Sequence, residues 1–172
     1  MDDRGAVEVV GALVAGGVDV CVNGGWAVDA LLGEQTRRHT DLDLWLSAST
    51  FDLAIRVFLD LGVDRLYPWA DDRPWNFVLH DGDSRRVDLH VYEVMSTGEL
   101  HYGGVESAIS FPAEALDGEG TIAGRVVRCE APEWCLRWHT GYPARPEDHH
   151  DVRLLCARFG YPLPDGFVAL DR

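Results

Sequence analysis

Two short stretches carry acids where apolar residues are expected. "DLDLWL" (41–46) and "RRVDLHVY" (85–92) both alternate, and alternation with period two is the mark of a strand with one buried face. In such a strand residues i and i+2 point the same way, about 6.5–7 Å apart at the Cα atoms. Asp41 and Asp43 then share one face and Leu42, Leu44 and Leu46 the other. Likewise Asp88 and His90 lie opposite Val87, Leu89 and Val91. Were the two strands neighbours, about 4.8 Å apart, three carboxylates would converge with their backs to an apolar core. Close carboxylates repel unless a cation sits among them. Mg²⁺, bound by carboxylates and substrate phosphates, is the usual answer, and two such ions roughly 3.5–4 Å apart can clamp the attacking and leaving oxygens of a phosphoryl displacement. The bland alternative is a pair of amphipathic strands with their acids in water. A third Asp on a second alternating strand counts against it, as does the depletion of Asp from strands in general.

About 16 residues before the D-x-D, Gly24 and Gly25 follow the β-branched run "VDVCVN" (18–23) and open an apolar helix. A backbone without Cβ atoms allows close approach of a phosphate, and a helix N-terminus offers amides and partial positive charge. All 15 basic residues are arginine, so a P-loop lysine and a lysine nucleophile are both excluded. Any phosphate must be held by arginine, backbone amides or metal.

These residues need elements to position them. The spacing predicts a helix over 3–16, a strand at 18–23, a helix from the glycines to Gly33, and the D-x-D strand at 41–46. A further helix, "FDLAIRVFLDLG", is capped by Ser49 or Thr50, and a hairpin over roughly 75–94 turns at "DGDS". After residue 95 the chain becomes Gly-rich, with short strands "TIAG" and "RVVRCE". Two helices follow, "APEWCLRWHTG" with Pro at its start and "RPEDHHDVRLLCARFG" with Val152, Leu154, Leu155, Cys156 and Phe159 for a buried face. The expected plan is an α/β (α+β) core over 1–105, with 106–172 as a β and helical cap on the same domain.

Composition sets the outer limits. The chain has 172 residues, 47% of them apolar and 26% charged, enough for one domain with a real core. No apolar run reaches the roughly 20 residues of a membrane span, and the acidic N-terminus lacks a signal peptide's basic region, so a soluble cytoplasmic protein is expected. The net charge of −14 argues against a nucleic acid partner and suits a cationic small molecule. Cys21, Cys129, Cys135 and Cys156 form no C-x-x-C pair and read as buried thiols. Oligomeric state is left open, a homodimer included.

The ordered set "GGWAVDALLG…QTRRH…DLDL…VDLH" resembles the nucleotidyltransferase superfamily with the DNA polymerase β-like fold, a mixed sheet flanked by helices. Within it, the chain is similar to the small antibiotic nucleotidyltransferases. "GGWA…D" with "TR.H.D.DL" and "IAGR.VRC" resembles the aminoglycoside 2''-adenylyltransferases. "GGW.VD.L.G.Q" with "HTGYPARPEDHHD" resembles the short lincosamide nucleotidyltransferases. The resemblance spans about residues 20–155. It implies that Gly24, Gly25, Arg37 and Arg38 hold the triphosphate and that Asp41, Asp43 and Asp88 ligate two Mg²⁺ ions, with Asp88 the first candidate for general base. It further implies that His139, Asp148 and Asp151 line the acceptor or nucleotide side, with His90 a further substrate-binding candidate. The co-substrate would be ATP or another nucleoside triphosphate, and the acceptor a small-molecule antibiotic, a lincosamide before an aminoglycoside. A plain helix N-terminus is the other reading of "EDHHD". His149 and His150, adjacent on one helix, read as incidental. Of the six tryptophans, only Trp69 and Trp75 in "YPWADDRPW" are candidates for a cleft, the rest for core. A protein-modifying AMP transferase of toxin–antitoxin type and a non-catalytic nucleotide-binding module are the alternatives, the latter opposed by three intact aspartates.

Overall fold

The computed structural model describes residues 1–67, 76–103 and 109–167. The predicted first helix forms as α1 (Asp3–Ala15). It is capped by the Asp2 carboxylate, which accepts from the Gly5 amide at 2.8 Å, and it buries Ala6, Val9, Val10 and Leu13. β1 (Val20–Asn23) is buried along its whole length, which a central strand must be. Asn23 caps α2 (Gly24–Leu32), and Gly33 closes that helix in the left-handed region, φ +79°. β2 (Leu42–Ser47) leads through a short 3₁₀ turn into α3 (Phe51–Asp60). Thr50 occupies the N-cap position of α3 but makes no capping hydrogen bond; Ser47 Oγ instead accepts from the Ser49 amide within the 3₁₀ turn.

The predicted hairpin is β4 (Asn76–His80) against β5 (Arg86–Val94), with the two-residue β3 (Arg65–Leu66) on the outer side of β4. Then come β6 (Leu100–Tyr102), β7 (Ile109–Phe111), β8 (Gly118–Ile122) and β9 (Arg125–Cys129), followed by α4 (Pro132–His139) and α5 (Pro146–Phe159). The strands among the described residues form one mixed sheet in the order β3-β4-β5-β2-β1-β9-β8, with β6 continuing along β5 and pairing β7. β2 runs parallel to β5, and β1 to β9; the other pairs are antiparallel.

The leucines of β2, with Val87 and Leu89 of β5, are fully buried on one face beneath α1, α2 and α3. Burying each such side chain is worth about 1.5–3 kcal/mol. The other face carries the acids and then an aromatic cluster of Trp45, Tyr92, Tyr102 and Phe111, flanked by Trp134 and Trp138 of α4. The boundary expected near residue 105 lies outside the described residues. The segment beyond it does more than cover the core: β7, β8 and β9 are strands of the sheet itself, and β9 docks on β1 with the Glu130 amide donating to Val22 O at 3.1 Å.

β8 lies so close under α2 that a Cβ on Gly120 would collide with the backbone of Ala30. Gly11, on the exposed face of α1, meets nothing within 4 Å. Gly120→Ala is therefore expected to lower unfolding free energy by about 1–3 kcal/mol through overpacking, whereas Gly11→Ala raises it by up to about 1 kcal/mol. Urea denaturation of the two variants checks both signs.

Candidate active site

The register between β2 and β5 sets Asp43 directly across from Asp88, and Trp45 across from His90. Both residues of each strand thus rise from the same face, and their ligand atoms meet: one oxygen each of Asp43 and Asp88 and a nitrogen of His90 lie within 4.8 Å of one another. His90 Nε2 stands 3.7 Å from Asp43 Oδ1 and 3.9 Å from Asp88 Oδ1. Its other nitrogen, Nδ1, is 2.9 Å from the Tyr102 hydroxyl, and its ring packs on Trp45 with centroids 5.0 Å apart. Asp41 sits one residue before β2. Its Oδ2 lies 3.8 Å from Arg86 Nε, at the outer rim of the group.

Burial pushes the Asp88 carboxyl up to about 6; nearby His90 opposes the rise, while Asp43 and Asp41 add to it. Asp41 is raised as well, by burial and then by Asp43. Burial pulls His90 down, but the neighbouring Asp43 and Asp88 carboxylates outweigh it and hold the imidazole above its usual range. Three acids therefore feel one another's charge. Asp88 Oδ1 and His90 Nε2 are buried and make no hydrogen bond. Orphaned polar atoms facing each other inside an acidic group are costly unless something positive completes them. This donor set fits a divalent cation.

At the other end of the site, Gly24 has φ +61°, and a Cβ there would meet Asp43 Oδ2. A Cβ on Gly25 would collide with Arg37 Nη2 and with the His39 ring. The glycine pair thus lets a carboxylate and a guanidinium crowd the amino end of α2, a use of glycine that phosphate approach alone did not suggest. Asn23, opposite Asp43 in register, turns its Oδ1 to the Gly24 amide at 2.5 Å. The loop carrying Arg37 is pinned from beneath by buried Asp29. Asp29 Oδ2 meets His39 Nε2 at 2.5 Å, and its Oδ1 accepts from the Thr36 amide and hydroxyl at 3.0 and 2.7 Å. Arg38 lies on the surface, and its carbonyl accepts from Arg37 Nη1 at 3.3 Å.

The C-terminal residues part ways. Asp151, 1% exposed, accepts two hydrogen bonds from Arg37, from Nε at 2.9 Å and from Nη2 at 2.7 Å, and faces His139 Nε2 at 3.6 Å. Burial would raise it, yet Arg37 and His139 hold it down to about 2. Asp148 is equally buried but turns to its own helix end. It accepts from the Arg145 amide at 2.7 Å and from the Tyr142 hydroxyl at 2.8 Å, the helix-terminus role that "EDHHD" also allowed. His150, read as incidental, reaches Thr36 Oγ1 at 3.1 Å. Trp69 and Trp75 lie outside the described residues.

Glu130 is a further site neighbour that sequence reasoning missed. It is fully buried, accepts from Trp45 Nε1 at 2.7 Å, and is pushed up to about 7 by burial, against the pull of Trp45, His139 and His90. Nothing local in "RVVRCEAPEW" marks it, because its partners come from β2, β5 and α4. Asn23 did carry a signal, since Asn before a helix is a preferred cap.

The mixed sheet with flanking helices matches solved nucleotidyltransferase structures, and the relatives of this chain make it a nucleotidyltransferase. Residues 6–155 match the family model of the aminoglycoside-2''-adenylyltransferases, and the chain belongs to that family. It is 32% identical over 148 residues to a 2''-aminoglycoside nucleotidyltransferase of Klebsiella pneumoniae, covering 81% of this chain and 77% of the relative. It is 26% identical over 134 residues to a lincosamide resistance protein of Staphylococcus haemolyticus, covering 78% and 81%. Among solved structures, the lincomycin-bound lincosamide adenylyltransferase LnuA superposes with a TM-score of 0.76 at 24% identity, over 90% of this chain and 96% of that one. The solution structure of ANT(2'')-Ia gives 0.69 at 25% identity, over 93% and 86%.

The raised Asp88 carboxyl makes a stability prediction for the metal-free protein. Its folded value lies above that of an unfolded Asp, so the folded state holds the proton longer and stability falls as pH rises through about 4 to 6. Asp88→Asn removes that penalty. The variant is expected to gain on the order of 2 kcal/mol over wild type at pH 7 in EDTA, with the gap closing near pH 4. Denaturant unfolding at the two pH values measures it.

Proposed function

We propose that this enzyme moves a nucleoside monophosphate from ATP, or another nucleoside triphosphate, to a hydroxyl of a small-molecule antibiotic and releases pyrophosphate. The observation that carries this reading is the in-register Asp43–Asp88 pair, with His90 beside it and the amino end of α2 pressed against Asp43. The triphosphate lies along the α2 amides at Gly24 and Gly25, with Arg37 and surface Arg38 on its flank. Anions favour such a helix end, and a guanidinium grips phosphate oxygens in pairs. Asp41, Asp43 and Asp88 would hold two Mg²⁺ ions, which would supply charge stabilisation at the reacting phosphate and the leaving group.

Asp88 takes the acceptor proton. Its Oδ1 is buried at the centre of the acidic group and free of protein hydrogen bonds, so it is open to a hydroxyl. The acceptor oxygen bonds to the α-phosphorus as the bond to the β-phosphate oxygen breaks, and the proton passes to the carboxylate. The rest of the protein contributes alignment.

A lincosamide is favoured as the acceptor. The "HTGY…EDHHD" segment points that way, as does the similarity to the staphylococcal lincosamide resistance protein. The aminoglycoside reading keeps support from the 32% identity to the Klebsiella pneumoniae enzyme and from the net charge of −14.

With ATP, Mg²⁺ and lincomycin, wild type should release pyrophosphate and yield a nucleotidylated drug by mass spectrometry. Asp43→Asn and Asp88→Asn should each lose at least about a hundredfold in turnover. Near-wild-type turnover in either variant would sink the mechanism. A product on tobramycin alone would move the acceptor to the aminoglycosides, and label on protein would move it off drugs.

A further inference from the structure

The Asp151–Arg37 pair joins residues 114 positions apart, and neither partner is explained by packing alone. Asp151 is 1% exposed, and both its oxygens are occupied, Oδ1 by Arg37 Nε and Oδ2 by Arg37 Nη2 with His139 alongside. At that burial neither oxygen is open to an acceptor. Arg37 differs. Its side chain is 23% exposed, and its five N–H donors are only partly used. Nε and one N–H of Nη2 serve Asp151, and one of Nη1 serves the Arg38 carbonyl, so one N–H remains on each Nη nitrogen. Nη2 lies where a Cβ on Gly25 would stand, against the amino end of α2. The unused donors and the helix amides therefore occupy the same corner.

We propose that Asp151 is a positioning residue for the nucleotide: it presets Arg37 as a clamp at the amino end of α2, so that the α4–α5 segment governs nucleotide affinity rather than choice of acceptor. The inference rests on the nucleotidyl-transfer reading and deepens it. A long, unpaired arginine must be ordered each time it meets a phosphate. One fixed from behind by a buried carboxylate has met that entropic cost during folding. The neighbouring groups serve the same end. His139 Nδ1 donates to the Cys135 carbonyl at 2.8 Å, which orients the ring so that Nε2 faces Asp151. One residue before Asp151, His150 contacts Thr36 at 3.1 Å, so α5 grips the arginine loop at two points. Asp29 holds the same loop from below through Thr36 and His39. Asp151 is held to about 2 and stays ionised at any pH where the enzyme would work.

The test is equilibrium binding of a non-hydrolysable ATP analogue with Mg²⁺ to wild type, Asp151→Asn, Arg37→Gln and the double variant, each below its melting temperature. Both single variants are expected to weaken the analogue about tenfold, the scale of one charge-assisted phosphate contact. The double variant should be no weaker than Arg37→Gln alone, because Asp151 acts only through Arg37. A general packing role would instead add its loss in both backgrounds and overturn the inference, as would wild-type affinity in Asp151→Asn. If Asp151→Asn does not fold, Arg37→Lys decides: it keeps the charge and the buried aspartate but loses the fork, and it should show the same tenfold loss. Wild type that binds no analogue would sink the nucleotidyl-transfer reading itself. Wild type that binds, with unaffected variants, sinks only the role given to Asp151.

Discussion

Everything at this site depends on one register. β2 and β5 run parallel with Asp43 beside Asp88, and the same pairing stacks Leu42 on Val87 and Leu44 on Leu89 across the buried face. A slip of one residue would turn the acids into the core and the leucines into water. The apolar ladder is thus what makes the acidic one affordable. Burial of the leucines supplies the free energy that holds like charges together, and the cost shows in the Asp88 and Asp41 carboxyls, raised by their own burial first and by acidic neighbours second.

The remaining parts of the site are arranged around that pair by close approach rather than by long reach. Gly24 admits the Asp43 side chain, and Gly25 admits Arg37 and His39. Here the acids converge on one side of the α2 amino end, and a guanidinium, itself tied to a buried carboxylate, stands on the other. The guanidinium is thus fixed in advance, the condition for electrostatic stabilisation without reorganisation, whereas Asp88 Oδ1 and His90 Nε2 stay open within the acidic group. The aromatic cluster beyond His90 bounds the acidic group on the far side and orients the imidazole through Trp45 and Tyr102.

The part of the chain after residue 108 has a double role. β9 and β8 extend the sheet beyond β1, while α4 and α5 bring His139, His150 and Asp151 to the arginine loop. Composition alone suggested a cover laid over a finished core. Gly118 and Gly120, which give that stretch its loop-like look, are instead needed for close packing: a Cβ at either would strike the Glu130 or Ala30 backbone.

Much of the site was written in local pattern. Period-two alternation in 41–46 and 86–91 set which side chains share a face, since that follows from backbone geometry within one strand. Gly24-Gly25 before an apolar run marked the α2 start, and Pro132 marked α4, because such local signals act over a few residues. What tertiary structure alone decided was pairing across the chain. It set Asp88 rather than Asp41 at the centre of the acidic group, Glu130 under Trp45, Asp151 behind Arg37, and Asp148 at its own helix end. A sequence pattern reports the direction in which a side chain leaves its element; which partner it meets depends on how separate elements dock, and that is determined by the packing of the whole core.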